Sequence, residues 1–302
     1  MKTTVPRRAA AVILRAATDR RLRAVSQVLL LVAIVFVVLR LRSTWRDSHV
    51  AFSHLRWGQL AGAVLVTAAG MVAMAVAWVL VLRRLGADTR RWFVGIFFQS
   101  QLSKYIPGSV WQYAGRTTLA AAYGVPLRLT AWSLGIELAA QLVAAGAAAV
   151  LLAGWPGIAA LGAVGAGTLA LPTFVRVRRR EAAAFARAAA LYCAIWAAIG
   201  VGFWLTASAL FGVGVADLPV YAGAFAAAWA VGLLAVYAPG GLGVREAMLV
   251  VLLRGRLGTA DALVLAAVSR AIFTALDLIA GLAGSALLRV APPRPRPDGL
   301  GG

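Results

Sequence analysis

Residues 237 to 247 read Tyr-Ala-Pro-Gly-Gly-Leu-Gly-Val-Arg-Glu-Ala, and residues 104 to 116 read Lys-Tyr-Ile-Pro-Gly-Ser-Val-Trp-Gln-Tyr-Ala-Gly-Arg. The two segments share Tyr-x-Pro-Gly, at Tyr105 and at Tyr237, 132 positions apart. Each lies inside an apolar stretch, 92 to 123 and 219 to 253. Proline lacks the N–H that would continue a helix and glycine tolerates a sharp turn, so each stretch is expected to break into two half-helices. A broken element of this kind can dip into a membrane and return. Pro-Gly is also a common turn between helices, but here it recurs in a matched context: a short amphipathic helix, a polar connection and a long apolar run follow each copy.

Working outward, the rest of the chain is made for lipid. Of its 302 residues 62% are hydrophobic and 13% charged, and the mean hydropathy is +0.85. A soluble domain has about a quarter of its residues charged, so this one could not cover a water-facing surface. Six apolar runs approach the roughly 20 residues that a helix needs to cross hydrocarbon: 24 to 39, 59 to 82, 129 to 153, 157 to 175, 188 to 211 and 260 to 288. The first follows seven basic residues, as a secretory leader would. Arg40-Leu41-Arg42 stands where a cleavage site of small residues would be, which favours an uncleaved anchor.

Basic residues outnumber acidic ones 30 to 10, a formal net charge of +20. They occur in short clusters between apolar runs, a pattern explained by topology and anionic lipid and not by nucleic acid. With the N-terminus in the cytoplasm and both broken elements returning to the side they entered from, 21 fall inside and 6 outside, and Lys104, Arg245 and Arg270 lie at membrane depth. Arg116 counts here among the cytoplasmic set. Reading 219 to 237 as a full span gives 20 against 7, so charge alone does not choose. The repeat chooses, because only re-entrant hairpins make the halves equivalent. The expected fold is an all-α polytopic membrane protein with an inverted-topology repeat, about six full spans and two re-entrant helical hairpins. Residues 1 to 23 form a basic cytoplasmic segment, 24 to 289 one transmembrane domain with halves 24 to 153 and 157 to 289, and 290 to 302 a disordered cytoplasmic tail.

In inverted repeats the site lies near the midplane, where the broken helices meet. The backbone donors that follow Pro107-Gly108 and Pro239-Gly240 should open half-helices whose positive ends suit an anion. Lys104 and Arg116 flank the first break; Gly241, Gly243, Arg245 and Glu246 follow the second. Ionisable groups in hydrocarbon persist when they face a cavity or a partner, which marks Glu137, Arg270 and Asp277. Glu137 and Arg270 occupy nearly matching positions in the halves and are the expected pair, whether for function or only to fix packing. Asp277 lies about 10 Å along the helix from Arg270, so each needs another partner. Lys104 and Arg116 could instead snorkel to the interface. Trp111, Tyr105, Tyr113 and Tyr237 read as interfacial belt residues, with Trp111 the candidate for head-group contact. Gly58-x-x-x-Gly62 and the glycines near 200 and 281 read as packing positions, and the single cysteine, Cys193, as inert core. No metal-ligating cluster, cofactor motif, nucleophile constellation or Walker-type loop stands out in the sequence.

Residues 104 to 116 and 239 to 247 resemble the two signature stretches of the lysylphosphatidylglycerol synthase transmembrane, or flippase-like, family, over about residues 24 to 289. The resemblance implies a flippase-type domain with re-entrant helices, like the membrane half of the bacterial multiple peptide resistance factor. It also implies relatives that handle polyprenyl-linked sugars beside membrane glycosyltransferases. The sequence has no counterpart of the domain that transfers lysine from tRNA, so lipid aminoacylation is not carried over, and Trp111-Gln112 stands where many relatives have Gly-Glu.

The expected activity is translocation of an anionic phospholipid derivative or a polyprenyl-phosphate-linked sugar across a bacterial inner membrane, a setting that the arginine- and alanine-rich composition fits. Pro107, Gly108, Trp111, Pro239, Gly240, Gly241 and Gly243 would shape the site. Lys104, Arg116, Arg245 and Arg270 would receive the phosphate, and Glu137, Glu246 and Asp277 would balance charge or carry a coupling proton. A non-catalytic scaffold that presents lipid to a glycosyltransferase is the alternative, and an enzyme acting on lipid within the bilayer a third possibility. The oligomeric state is left open.

Overall fold

A computed structural model describes residues 55 to 90, 92 to 105, 111 to 153, 179 to 235 and 241 to 290. The expected spans 24 to 39 and 157 to 175, the basic segment 1 to 23, and Pro107, Gly108, Tyr237, Pro239 and Gly240 lie outside them, as does the tail from residue 291. The described residues form eight α-helices and no strand: α1 (Trp57–Arg84), α2 (Phe93–Gln101), α3 (Trp111–Ala122), α4 (Leu127–Ala153), α5 (Arg179–Phe211), α6 (Leu218–Leu234), α7 (Val244–Leu257) and α8 (Thr259–Val290). A 3-10 turn, Leu102–Tyr105, extends α2, and another, Val215–Asp217, leads into α6. The remaining four expected spans are helices.

Five helical stretches are long and apolar enough to cross a membrane: Trp57–Arg84, Leu127–Val150, Phe185–Phe211, Val215–Leu234 and Thr259–Val290. The chain is thus an all-α membrane protein. The stretches 92 to 123 and 219 to 253 were expected to form equivalent re-entrant hairpins, but the helices that open them differ in length. At 1.5 Å per residue α2 spans about 14 Å, whereas the 20-residue stretch ending at Leu234 spans about 30 Å. Composition explains the difference. The shorter limb runs into Gln99-Ser-Gln101, while α6 is uninterrupted Ala, Gly, aliphatic and aromatic from Val220 to Leu234, and it is buried almost all round.

The helices pack around two cores. In the first, α4, α5 and α6 meet the apolar faces of α7 and α8; in the second, α1 and α2 meet Ala120, Val125 and the C-terminal end of α8. Without a hydrophobic force between helices in lipid, close approach depends on small side chains, and the glycines show where. A Cβ on Gly200 would fall 2.5 Å from that of Ala222, holding α5 against α6. One on Gly281 would meet Leu102 at 2.6 Å. Gly95 and Gly284 face each other: a Cβ on either would sit within 2.9 Å of the other's carbonyl oxygen, so α2 and α8 touch backbone to backbone. Gly58 is not a packing position, because nothing lies within 4 Å of its would-be Cβ, and Gly62 has only an ordinary 3.7 Å contact with Leu205. They occupy the exposed beginning of α1. Cys193 is exposed and not core; its position on α5 points away from the face that carries Tyr192 and Trp196 inward.

These contacts rank the glycines. Gly284→Ala should destabilise the protein by about 1–3 kcal/mol, since a carbonyl cannot rotate away as a side chain can. Gly58→Ala should stay within about 0.5 kcal/mol of the parent. Thermal melting in detergent followed by circular dichroism measures both.

Candidate functional site

At the seam between the two cores is a cavity of about 130 Å³ to which all eight helices contribute. Its charged lining consists of Lys104, Arg116, Glu137, Arg245, Arg270 and Asp277, so the structure gathers these six expected residues in one place. Gly241 also borders it. Trp111 begins α3 but does not line the cavity, nor do Gly243 and Glu246.

The cations differ in what answers them. Arg116 is 1% exposed and fully engaged. Its Nη1 lies 2.6 Å from Glu137 Oε2, and its Nε donates to Ser100 Oγ at 3.1 Å. Its guanidinium covers the ring of Phe97 at 4.1 Å. Gln141 Nε2 donates to the other Glu137 oxygen at 3.0 Å, and the Ser100 hydroxyl donates to the Phe97 carbonyl at 2.7 Å. Every member of the network has a partner, the condition under which a buried polar cluster rigidifies a core. The expected Glu137–Arg270 pair is therefore not formed. Placing Arg116 among the cytoplasmic surface residues hid the reason: α3 follows the break directly and packs on α4, which delivers Arg116 to Glu137 first.

Arg270 instead turns to α7, with its Nη1 3.6 Å from Glu246 Oε1. Glu246 has a second task, because its Oε2 accepts the Gly243 N–H at 2.8 Å. That donor at the start of α7, expected to be open to an anion, is thus already capped. Asp277, 1% exposed, takes two bonds on Oδ2: Lys104 Nζ at 2.6 Å and the hydroxyl of Tyr105 at 2.8 Å. Tyr105 is accordingly a partner of Asp277 and not a belt residue, and Tyr113 lines the cavity.

Arg245 is the exception. It is 8% exposed, lies over the rings of Phe225 at 4.3 Å and Phe273 at 5.2 Å, and its Nη2 is buried with no hydrogen-bond partner among the described residues. Two more cavity-lining groups have an orphan atom, the Trp196 Nε1 donor and the Asp277 Oδ1 acceptor. Buried polar atoms in native structures are nearly always satisfied, and three unpartnered ones belong to residues that line this one cavity. The backbone holding Arg245 needs glycine. Gly241 has φ +72°, and a Cβ there would lie 3.0 Å from the Gly232 carbonyl oxygen, so α7 departs tightly against α6. Sequence reasoning missed the aromatic lining, Phe97, Trp196, Phe225, Trp229 and Phe273, because aromatic residues on apolar helices read equally well as core. Arginines at depth were the available signal, since a guanidinium in lipid is stabilised by aromatic faces.

No family model matches the chain, and no curated protein matches it.

Glu137→Gln leaves the Arg116 charge buried without a counter-ion and should cost about 3–5 kcal/mol. Replacing both partners with Arg116→Met and Glu137→Leu should recover most of that loss. Chemical denaturation in detergent of the parent, the single and the double variant distinguishes these outcomes.

Proposed function

We propose that the protein moves an anionic amphiphile across a membrane by alternating exposure of the seam cavity, as the resemblance to the flippase-like family implies. The observation that carries this reading is Arg245: a cation that lines the cavity at the junction of two helical cores, stacked on aromatic rings, with a buried donor that has no hydrogen-bond partner among the described residues. Intramembrane ionisable groups of this kind are where transporters bind cargo. Its ring partners are Phe225 of the first core and Phe273 of α8, which touches both cores.

The packing also supports the inverted repeat within this reading. Matching α1 with α5, α2 with α6, α3 with α7 and α4 with α8, the halves exchange contacts reciprocally. The pair α1 and α5 lies together, α2 packs on α8 as α6 packs on α4, and each half repeats the α2–α3 and α3–α4 contacts. Each half also joins the helix after its break to its last helix by one ion pair, Arg116–Glu137 in the first and Glu246–Arg270 in the second. In each, the arginine of that post-break helix covers a phenylalanine of the helix before it. A bacterial inner membrane, a phospholipid derivative or polyprenyl-phosphate-linked sugar as cargo, and a glycosyltransferase as neighbour belong to the same proposal.

Reconstitution with fluorescent anionic lipids tests it. The parent should speed transbilayer exchange above that of empty vesicles, and Arg245→Ala should return it to that baseline while keeping its helical signal. Arg256→Ala, which removes an exposed ion pair with Asp217, should leave exchange unchanged, as exposed pairs contribute only about 0–1 kcal/mol. Exchange at the empty-vesicle rate for every anionic lipid would overturn the proposal.

A further inference from the structure

Charge balance around the cavity narrows the cargo beyond "anionic". Four cations border it, and three have a carboxylate of their own: Lys104 with Asp277, Arg116 with Glu137 and Arg270 with Glu246. Among the described residues Arg245 has no ion-pair partner, rings cover its face, and its Nη2 is buried without a hydrogen-bond partner. The described site thus holds one uncompensated positive charge. In a medium of low dielectric a ligand that supplies one negative charge leaves the site neutral, whereas a second charge has to displace a carboxylate from its cation or stay unanswered.

We infer that the cavity takes a monoanionic phosphodiester head group in preference to a dianionic phosphate monoester. This rests on the lipid-carrier reading and refines it. The phosphodiester oxygen would accept from Arg245 Nη2. Trp196 Nε1 and Asp277 Oδ1 remain as an unused donor and acceptor, suited to a hydroxyl-bearing substituent on the far side of the phosphorus. Phosphate monoesters have a second pKa of about 6, so at pH 8 they present two charges and diesters one.

Native mass spectrometry of the full chain in detergent at pH 8 compares phosphatidylglycerol, phosphatidic acid and phosphatidylcholine, with glycerophosphoglycerol as the soluble diester. Phosphatidylglycerol should bind at least about tenfold more tightly than phosphatidic acid, the scale of one unanswered charge at depth. Phosphatidylcholine should bind more weakly than phosphatidylglycerol, and Arg245→Met should abolish the preference. Asp277→Asn removes the counter-charge of Lys104 and should shrink or invert the diester preference, and Glu246→Gln, which removes a negative charge 3.6 Å from Arg270, should shift it the same way should the first variant not fold. Binding of glycerophosphoglycerol as tight as that of the lipid would support the head-group chemistry but assign it to a soluble ester. Arg245-dependent binding of phosphatidic acid equal to or tighter than that of phosphatidylglycerol, or a preference unmoved by both carboxylate variants, would overturn the inference and leave the carrier reading standing. A folded protein that retains no anionic lipid would overturn both.

Discussion

A positive charge inside a bundle of apolar helices is tolerable only where something answers it, and the way each buried cation meets that demand organises this molecule. Arg116 is answered completely, by a carboxylate, a hydroxyl and an aromatic face, and so fixes α3 against α4 and α2. Lys104 meets a carboxylate of α8 and Arg270 one of α7. Among the described residues Arg245 is in direct contact with the π-faces of Phe225 and Phe273, and the charges of Glu246 and Asp277 act on it from further off. Ring contacts stabilise a guanidinium by about 0.5–2 kcal/mol, less than the several kcal/mol that its desolvation costs, so they do not offset that cost alone. A cavity stands beside Arg245.

The same demand accounts for the division of the interior. Two apolar cores fill the spaces on either side, and the polar groups collect along the surface where they meet. Helix α8 contributes to both cores: Leu265 and Ala266 to one and Leu288 to the other, with Phe273 touching each. Two of its four charged positions, Arg270 and Asp277, fall in the intervening stretch. Close crossings at Gly95–Gly284 and Gly200–Ala222 keep the neighbouring helices near enough for short side chains to reach across.

Much of this was legible in the residues themselves. The four long apolar runs within the described part of the chain became helices, since a span of about 20 apolar residues has few other options in lipid. The six charged residues picked out at membrane depth or beside the breaks converge on one cavity, because charge in hydrocarbon has few places to go. Pairing was not legible. Counting along the chain matched Glu137 to Arg270 by position, but partner choice depends on which helix face turns inward, and Arg116, read as a phosphate-binding group and counted on the cytoplasmic side, was not weighed as a partner for Glu137. The second limb also escaped, because Pro-Gly tells where a helix ends and not how long the helix before it is. The glycine contacts divided the same way: a Gly-x-x-x-Gly spacing at 58 to 62 has no use without a neighbour, whereas Gly95 and Gly284 lie 189 positions apart and no local pattern links them.

The bonds of Asp277 have a mechanical consequence. Lys104 and Tyr105 lie on a short 3-10 turn just before the first break, and both fasten to one oxygen of a carboxylate on α8. Lifting that turn away from α8 removes both donors in one movement and strands an aspartate in a greasy interior. The contact is thus a latch with a single catch: two neighbouring donors of one turn close on one oxygen, so neither bond can be given up by moving that turn without giving up the other.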